Sequence, residues 1–146
     1  MRFVKFANLW FAGLFAGFLL TVLVLEQSLR RFDAHVYTQV RQVELVRLDT
    51  LASVTLLPAI ITTVALVLRS RRAPAIAALV LLLGVFALTL VVNLPINHDQ
   101  TGWSVQNPPA DWAEVRDRWQ LAHLARTVAA IGAFGLLIGV PGRSTA

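Results

Sequence analysis

The sequence predicts an all-α, integral membrane four-helix bundle with an amphipathic helical extension after its first span, and two observations carry that prediction. Of the 146 residues, 57% are hydrophobic and only 14% are charged, against roughly 25% charged in an ordinary soluble domain. Four stretches, about 7–25, 51–68, 74–92 and 121–140, each approach the ~20 apolar residues that cross a bilayer as a helix. Few residues are left over, so residues 1–146 read as a single transmembrane domain of a multi-pass cell-membrane protein.

The first stretch follows Arg2 and Lys5, as in a signal peptide. Its apolar run is too long for one, and Glu26-Gln27-Ser28-Leu29-Arg30-Arg31 replaces a small-residue cleavage site, so it reads as a retained span. Gly13 and Gly17, four apart, form a small-xxx-small face that lets helix backbones approach closely. Packing inside the bundle is the first reading of that face, and a homo-oligomer joined through Gly13 and Gly17 is the second. Glu26 stands four residues before Arg30, the spacing of a helical surface pair.

From Leu29 to Val46, apolar residues recur at steps of three and four: Leu29, Phe32, Val36, Val40, Val43 and Val46. This is the amphipathic extension, which either prolongs the first span or lies on the membrane surface, with His35 facing solvent. The second span holds Pro58, which removes a backbone donor, and Thr55 and Thr62 on its face are placed to re-satisfy freed carbonyls or line a cavity. Pro74 is placed to open the third span, which is expected to break at Asn93-Leu94-Pro95-Ile96-Asn97. The connection up to Ala110 is rich in turn residues, and Asp111 with Glu114 three residues on predicts a capping box for the last helix.

With no cysteine, disulfides, a thiolate nucleophile and cysteine-based metal sites are excluded. His35, His98 and His123 show no close ligand spacing, so zinc and haem fit poorly and no cofactor is expected. The net charge of +5 is spread over helix ends rather than gathered in one patch. That favours membrane lipids with anionic headgroups as partners, and no nucleic acid. Arg2, Lys5, Arg69, Arg71, Arg72 and Arg143 share one side without an acid. Arg30, Arg31, Arg41, Arg47, Arg116 and Arg118 share the other with the eight acids. The Lys/Arg tie is broken by the compact, purely basic second loop, which places both termini in the cytoplasm.

Polar chemistry meets the apolar interior in one segment, Asn93 to Arg126. On a helix of about 100° per residue, Trp112, Arg116, Trp119, His123 and Arg126 fall within an arc of about 80°. The same arc continues downwards into Ala130 and Leu137. Anchoring at an aromatic belt accounts for Trp103, Trp112 and Trp119 taken singly, and snorkelling accounts for Arg116. Together with Asn93, Asn97 and Glu26 they instead suggest a cavity for a small, planar, lipophilic aromatic substrate.

Asn93-Leu94-Pro95-Ile96-Asn97, Trp103, Asp111-Trp112, Arg116, Arg118-Trp119, His123 and Arg126-Thr127 resemble the small four-helix membrane proteins related to anthrone oxygenases. The specific part of the likeness runs from Asn93 to Thr127. The resemblance implies oxidation of an anthrone or similar phenol to a quinone by O₂ in polyketide chemistry, with no evident cofactor. It implies His123, Arg126 and Asn97 as catalytic residues, as base and oxyanion partners. Asn93, Trp103, Trp112, Arg116, Trp119 and Glu26 would then bind the substrate. The competing class is a non-catalytic membrane protein that binds a lipid or quinone-like ligand or serves as a small subunit of a larger complex. A small transporter is a weaker third reading.

Overall fold

The computed structural model describes residues 2–140; Arg143, counted above with the basic side, lies outside them. Among the described residues the chain is wholly helical. The elements are α1 (Arg2–Leu29), α2 (Ala34–Leu45), α3 (Leu48–Ser70), α4 (Ala73–Leu88), a π-helical turn (Thr89–Asn93), α5 (Leu94–Thr101) and α6 (Trp112–Ile138). Four helices are long and apolar enough to cross a membrane: α1, α3, the run Ala73–Thr101 through α4, the π turn and α5, and α6. The shortest, α3, has 23 residues, about 34 Å at 1.5 Å per residue against a hydrocarbon core of about 30 Å.

Each long helix packs on two others, α1 on α3 and α6, and α4 on α3 and α6. The result is a closed square with α1 and α4 on one diagonal. Small residues line its axis: Ala12 and Ala16, Ala59, Ala78, Ala130 and Ala133, interleaved with Phe15, Leu19, Leu56, Leu82 and Leu137. Larger apolar side chains such as Leu14, Val54, Ile61, Val80 and Val128 face outwards. That arrangement suits a bilayer, where lipid is as apolar as the core and close packing supplies the cohesion. Gly13 belongs to it, because a Cβ there would lie 3.1 Å from the Phe134 ring, whereas one on Gly17 would meet open space.

At the end bearing the α3–α4 loop, Asn8 donates to the hydroxyls of Thr63 (2.8 Å) and Thr62 (3.1 Å) and pins α1 to α3. Both threonines donate back to α3, Thr62 to the Pro58 carbonyl and Thr63 to that of Ala59. Pro74 occupies the first turn of α4, as expected.

Three local expectations are corrected. The third span does not break before Pro95. It shifts register instead, with the Leu94 N–H reaching back five residues to the Thr89 carbonyl, so that Pro95 falls in the first turn of α5, where its missing donor is tolerated. The capping box at Asp111 does not form; the Asp111 side chain makes no cap bond, and the Glu114 N–H bonds the Asp111 carbonyl at 3.0 Å.

The third correction concerns the extension. Asp33 caps a separate helix by accepting from the Val36 N–H, and α2 folds over the end of the bundle against α5 and α3. Its burial is the reverse of an ordinary amphipathic helix: Val43 and Val46 are 71% and 69% exposed, while Tyr37, Thr38, Arg41 and Glu44 are buried. A bundle end full of polar groups selects the polar face of α2 and leaves Val43 and Val46 exposed.

If Gly13 serves the bundle and Gly17 does not, Gly13→Val should destabilise the protein in detergent by about 1–3 kcal/mol through overpacking. Gly17→Val carries the same β-branched penalty and should fall well below that cost. Thermal unfolding of both variants checks this; equal losses would contradict the packing described.

Candidate functional site

The polar end is organised around the Arg41 guanidinium, only 2% exposed. Its Nε donates to Gln100 Oε1 (3.0 Å) and its Nη2 to Asn97 Oδ1 (2.9 Å). Nη1 donates to Glu26 Oε1 (3.1 Å) and Glu44 Oε2 (2.6 Å). The cation also sits 4.3 Å from the centroid of Trp119, within cation–π range. Gln120 ties Glu26 from the far side, donating to its other carboxylate oxygen (3.0 Å) and its backbone carbonyl (2.9 Å). Gln100 donates to the Tyr37 hydroxyl at 3.3 Å.

Two carboxylates therefore share one cation. Burial raises the pKa of Glu44 to about 7, Arg41 opposes that rise, and the Glu26 charge adds to it. Burial likewise pushes the Tyr37 hydroxyl up, so it stays a neutral phenol.

From this hub the network passes to α6. Trp119 Nε1 donates to Asn97 Oδ1 at 2.7 Å, and Asn97 Nδ2 donates to Asp49 Oδ1 at 2.8 Å. Trp119 stacks on His123, with centroids 4.8 Å apart and planes 9° from parallel. His123 Nε2 lies 2.9 Å from the Leu19 carbonyl oxygen. A carbonyl only accepts, so Nε2 carries the hydrogen, and in the neutral ring Nδ1 offers a lone pair. That Nδ1 is buried and has no partner. Arg126, three residues on, is 5% exposed with its Nε unpaired. Among the described residues its side chain makes neither a hydrogen bond nor an ion pair.

A cavity of about 140 Å³ lies between these groups and the core. Arg41, Glu44, Asp49, Asn97, Trp119, His123 and Arg126 form its polar side, and Phe15, Phe18, Val22, Leu56 and Phe86 are among its apolar walls. Its size matches cavities known to admit a single aromatic ring. Unpaired buried polar atoms cost about 1–3 kcal/mol each, and those of Glu44, His123 and Arg126 lie beside this one cavity.

Of the residues predicted from the sequence, His123, Arg126, Asn97 and Trp119 meet at this cavity. Glu26 and Asn93 are buried nearby without lining it; Glu26 serves the Arg41 hub, and Asn93 Nδ2 approaches the Trp119 carbonyl at 3.4 Å. Trp112 and Arg116 form an outer layer, the guanidinium 4.8 Å above the indole and Trp112 packed on Tyr37. Trp103 stands in the loop before α6, its carbonyl accepting from Gln42. Arg41, Glu44, Asp49, Gln100 and Gln120 were missed. The signal for the first two was present: Tyr37, Thr38, Arg41 and Glu44 share one face of α2, a polar stripe that reads as solvated until a polar partner surface is known. Among the described residues, no cluster of three or more His, Cys, Asp or Glu is arranged to hold a metal ion.

Because the folded chain holds the Glu44 proton more tightly than the unfolded chain does, the stabilisation is complete below the ordinary carboxylate range and is lost as pH rises through about 7. The thermal midpoint in detergent should therefore fall between pH 5 and pH 8 in the wild type, on the order of the window set by the two pKa values, and Glu44→Gln should flatten that slope. A Glu44→Gln protein with an unchanged slope would show that Glu44 is already ionised.

The anthrone oxygenase family model matches residues 46–136, from the end of α2 through most of α6. Asp49, Asn97, Trp119, His123 and Arg126 fall inside the match, and Glu26, Arg41 and Glu44 fall before it. No curated protein and no solved structure matches. The matched region exceeds half of the chain and contains three of its four long helices, so this protein belongs to the anthrone oxygenase family.

Proposed function

We propose that the protein is an oxygenase that oxidises a planar, lipophilic anthrone-type or phenolic substrate with O₂ without an added cofactor. The observation that carries this reading is the pair of unpaired groups at one aromatic-walled cavity, His123 Nδ1 and the Arg126 guanidinium. An anthrone has an acidic methylene opposite its carbonyl. His123 takes a proton from that carbon, and the negative charge passes to the ring oxygen, where Arg126 stabilises it. The electron-rich anion gives an electron to O₂, and carbon and oxygen then combine as a peroxide. The proton held by His123 returns to the peroxide, and loss of water leaves a second carbonyl. One anthrone and one O₂ thus yield one anthraquinone and one water.

The remaining residues support that chemistry by position. Leu19 fixes the His123 tautomer, Trp119 fixes the plane of its ring, and Asn97 holds Trp119 and Asp49 in place. The two Asn97 contacts support a positioning role more directly than a shared oxyanion role with Arg126. Arg41 and Glu44 close the polar end against water, which strengthens electrostatics inside.

Both termini are assigned to the cytoplasm, on the strength of the basic Arg69–Arg72 loop. The cavity then lies towards the opposite leaflet. Because the chain has no cysteine, Ser70→Cys provides a unique reporter. An impermeant thiol reagent should label it only after intact cells are opened, and labelling of intact cells would invert the assignment.

The enzymatic reading predicts oxygen uptake and quinone absorbance above autoxidation when purified protein meets anthrone or its hydroxylated derivatives. His123→Ala should lower kcat by about 10²–10⁴-fold, and Arg126→Met by about 10²–10³-fold. Undiminished turnover in a folded double variant would remove both residues from the mechanism. Ligand binding without any oxygen uptake would favour the alternative, a non-catalytic lipid or quinone-like binder.

A further inference from the structure

The exposed part of the cavity wall lies on the flank of the bundle, between α3 and the third span. At the polar end the cavity is capped by Arg41 and Glu44, both buried. Over that cap the loop between α5 and α6 is tied to α2 by the Gln42–Trp103 contact and by His35 Nδ1 at 2.7 Å from the Val105 carbonyl. The exposed residues of the cavity wall lie elsewhere: Ser53 and Leu57 on α3, Leu90 in the π turn and Leu94 at the start of α5. Leu57, Leu90 and Leu94 are 44%, 48% and 37% exposed.

These four side chains flank one crevice between neighbouring spans. Ser53 and Leu57 stand about 8 and 14 Å along α3 from its first residue, at 1.5 Å per residue, within the hydrocarbon of one leaflet. The register shift at Thr89–Asn93 forms one bank of the crevice. A π turn is a local widening of the helix and often marks a functional site.

We infer that this crevice is a lateral doorway through which a membrane-dissolved ligand reaches His123 and Arg126. The inference rests on the oxygenase reading for its choice of ligand and deepens it. A cavity of about 140 Å³ holds about one ring, so a fused three-ring ligand overfills it and extends into the crevice between α3 and the π turn. The substrate class is therefore a lipophilic polycycle with one polar edge, delivered from the bilayer. A small, water-soluble phenol lacks that route.

Radiolabelled anthraquinone in lipid nanodiscs tests the doorway without relying on turnover. Ser53→Trp and Leu90→Trp narrow the crevice and should slow both association and dissociation by about tenfold or more, while changing Kd far less, because a gate acts on rates. Leu57→Ala widens it and should speed both. Leu83→Trp, on the outward face of α4 and away from the cavity, should match the wild type. Bound anthraquinone whose rates ignore all three doorway variants would overturn the lateral route and leave the oxygenase reading standing. No anthraquinone bound to the wild-type protein would overturn both. Normal doorway kinetics with no oxygen uptake on anthrone would leave the route in place and remove the oxygenase reading.

Discussion

The structure depends on one buried cation. Arg41 is carried by α2, yet its guanidinium bonds the carboxylates of α1 and α2, two carboxamides of α5, and the face of an α6 indole. Burying such a group costs several kcal/mol unless its donors are met. Here the donors are met by side chains from the elements that form the cavity's polar end. Arg41 therefore fixes geometry more than it adds net stability. From it, Asn97 aligns Asp49 and Trp119, and Trp119 aligns His123. The same side chain, with Glu44, lines the polar end of the cavity.

This explains an asymmetry along the bundle. Towards the α3–α4 loop, the interior is alanine packing with the small Asn8–Thr62–Thr63 cluster, a cohesion suited to helices in lipid. Towards α2, polar side chains fill the interior, and the bundle accepts their cost only because they are networked. Unpaired buried atoms also occur on Asn8, Thr38, Glu44 and Asn93. Among the described residues, only beside the cavity do an unpaired imidazole nitrogen and an unpaired guanidinium nitrogen occur on the same helix face, three residues apart. In the proposed reaction, a developing oxyanion would give the Arg126 side chain the hydrogen-bond partner it lacks in the fold.

The four spans and the α6 stripe were legible because both rest on local signals: apolar length, and residues repeating at helical spacing. His123, Trp119 and Arg126 share a face wherever α6 goes. Two things were not legible. The burial of α2 could not be read from its own pattern, because Val36, Val40 and Val43, at steps of three and four, ordinarily mark the inner face; the inversion follows from what lies under it. The continuity of the third span was hidden by Pro95, whose usual effect is a break, and the π register that absorbs it depends on tertiary packing. Glu26 shows the same limit. Its spacing from Arg30 suggests a surface pair, whereas the structure turns it inwards to Arg41, fifteen residues along the chain.

The central claim is that His123 and Arg126 face a ligand in this cavity. A structure of the protein in nanodiscs with anthraquinone bound tests it most directly. The account predicts the quinone between Phe15, Phe86 and Trp119, one oxygen hydrogen-bonded to the Arg126 guanidinium, the opposite edge of the same ring system turned to His123 Nδ1. A well-occupied quinone outside the cavity, or inside it with both side chains untouched, would contradict the account.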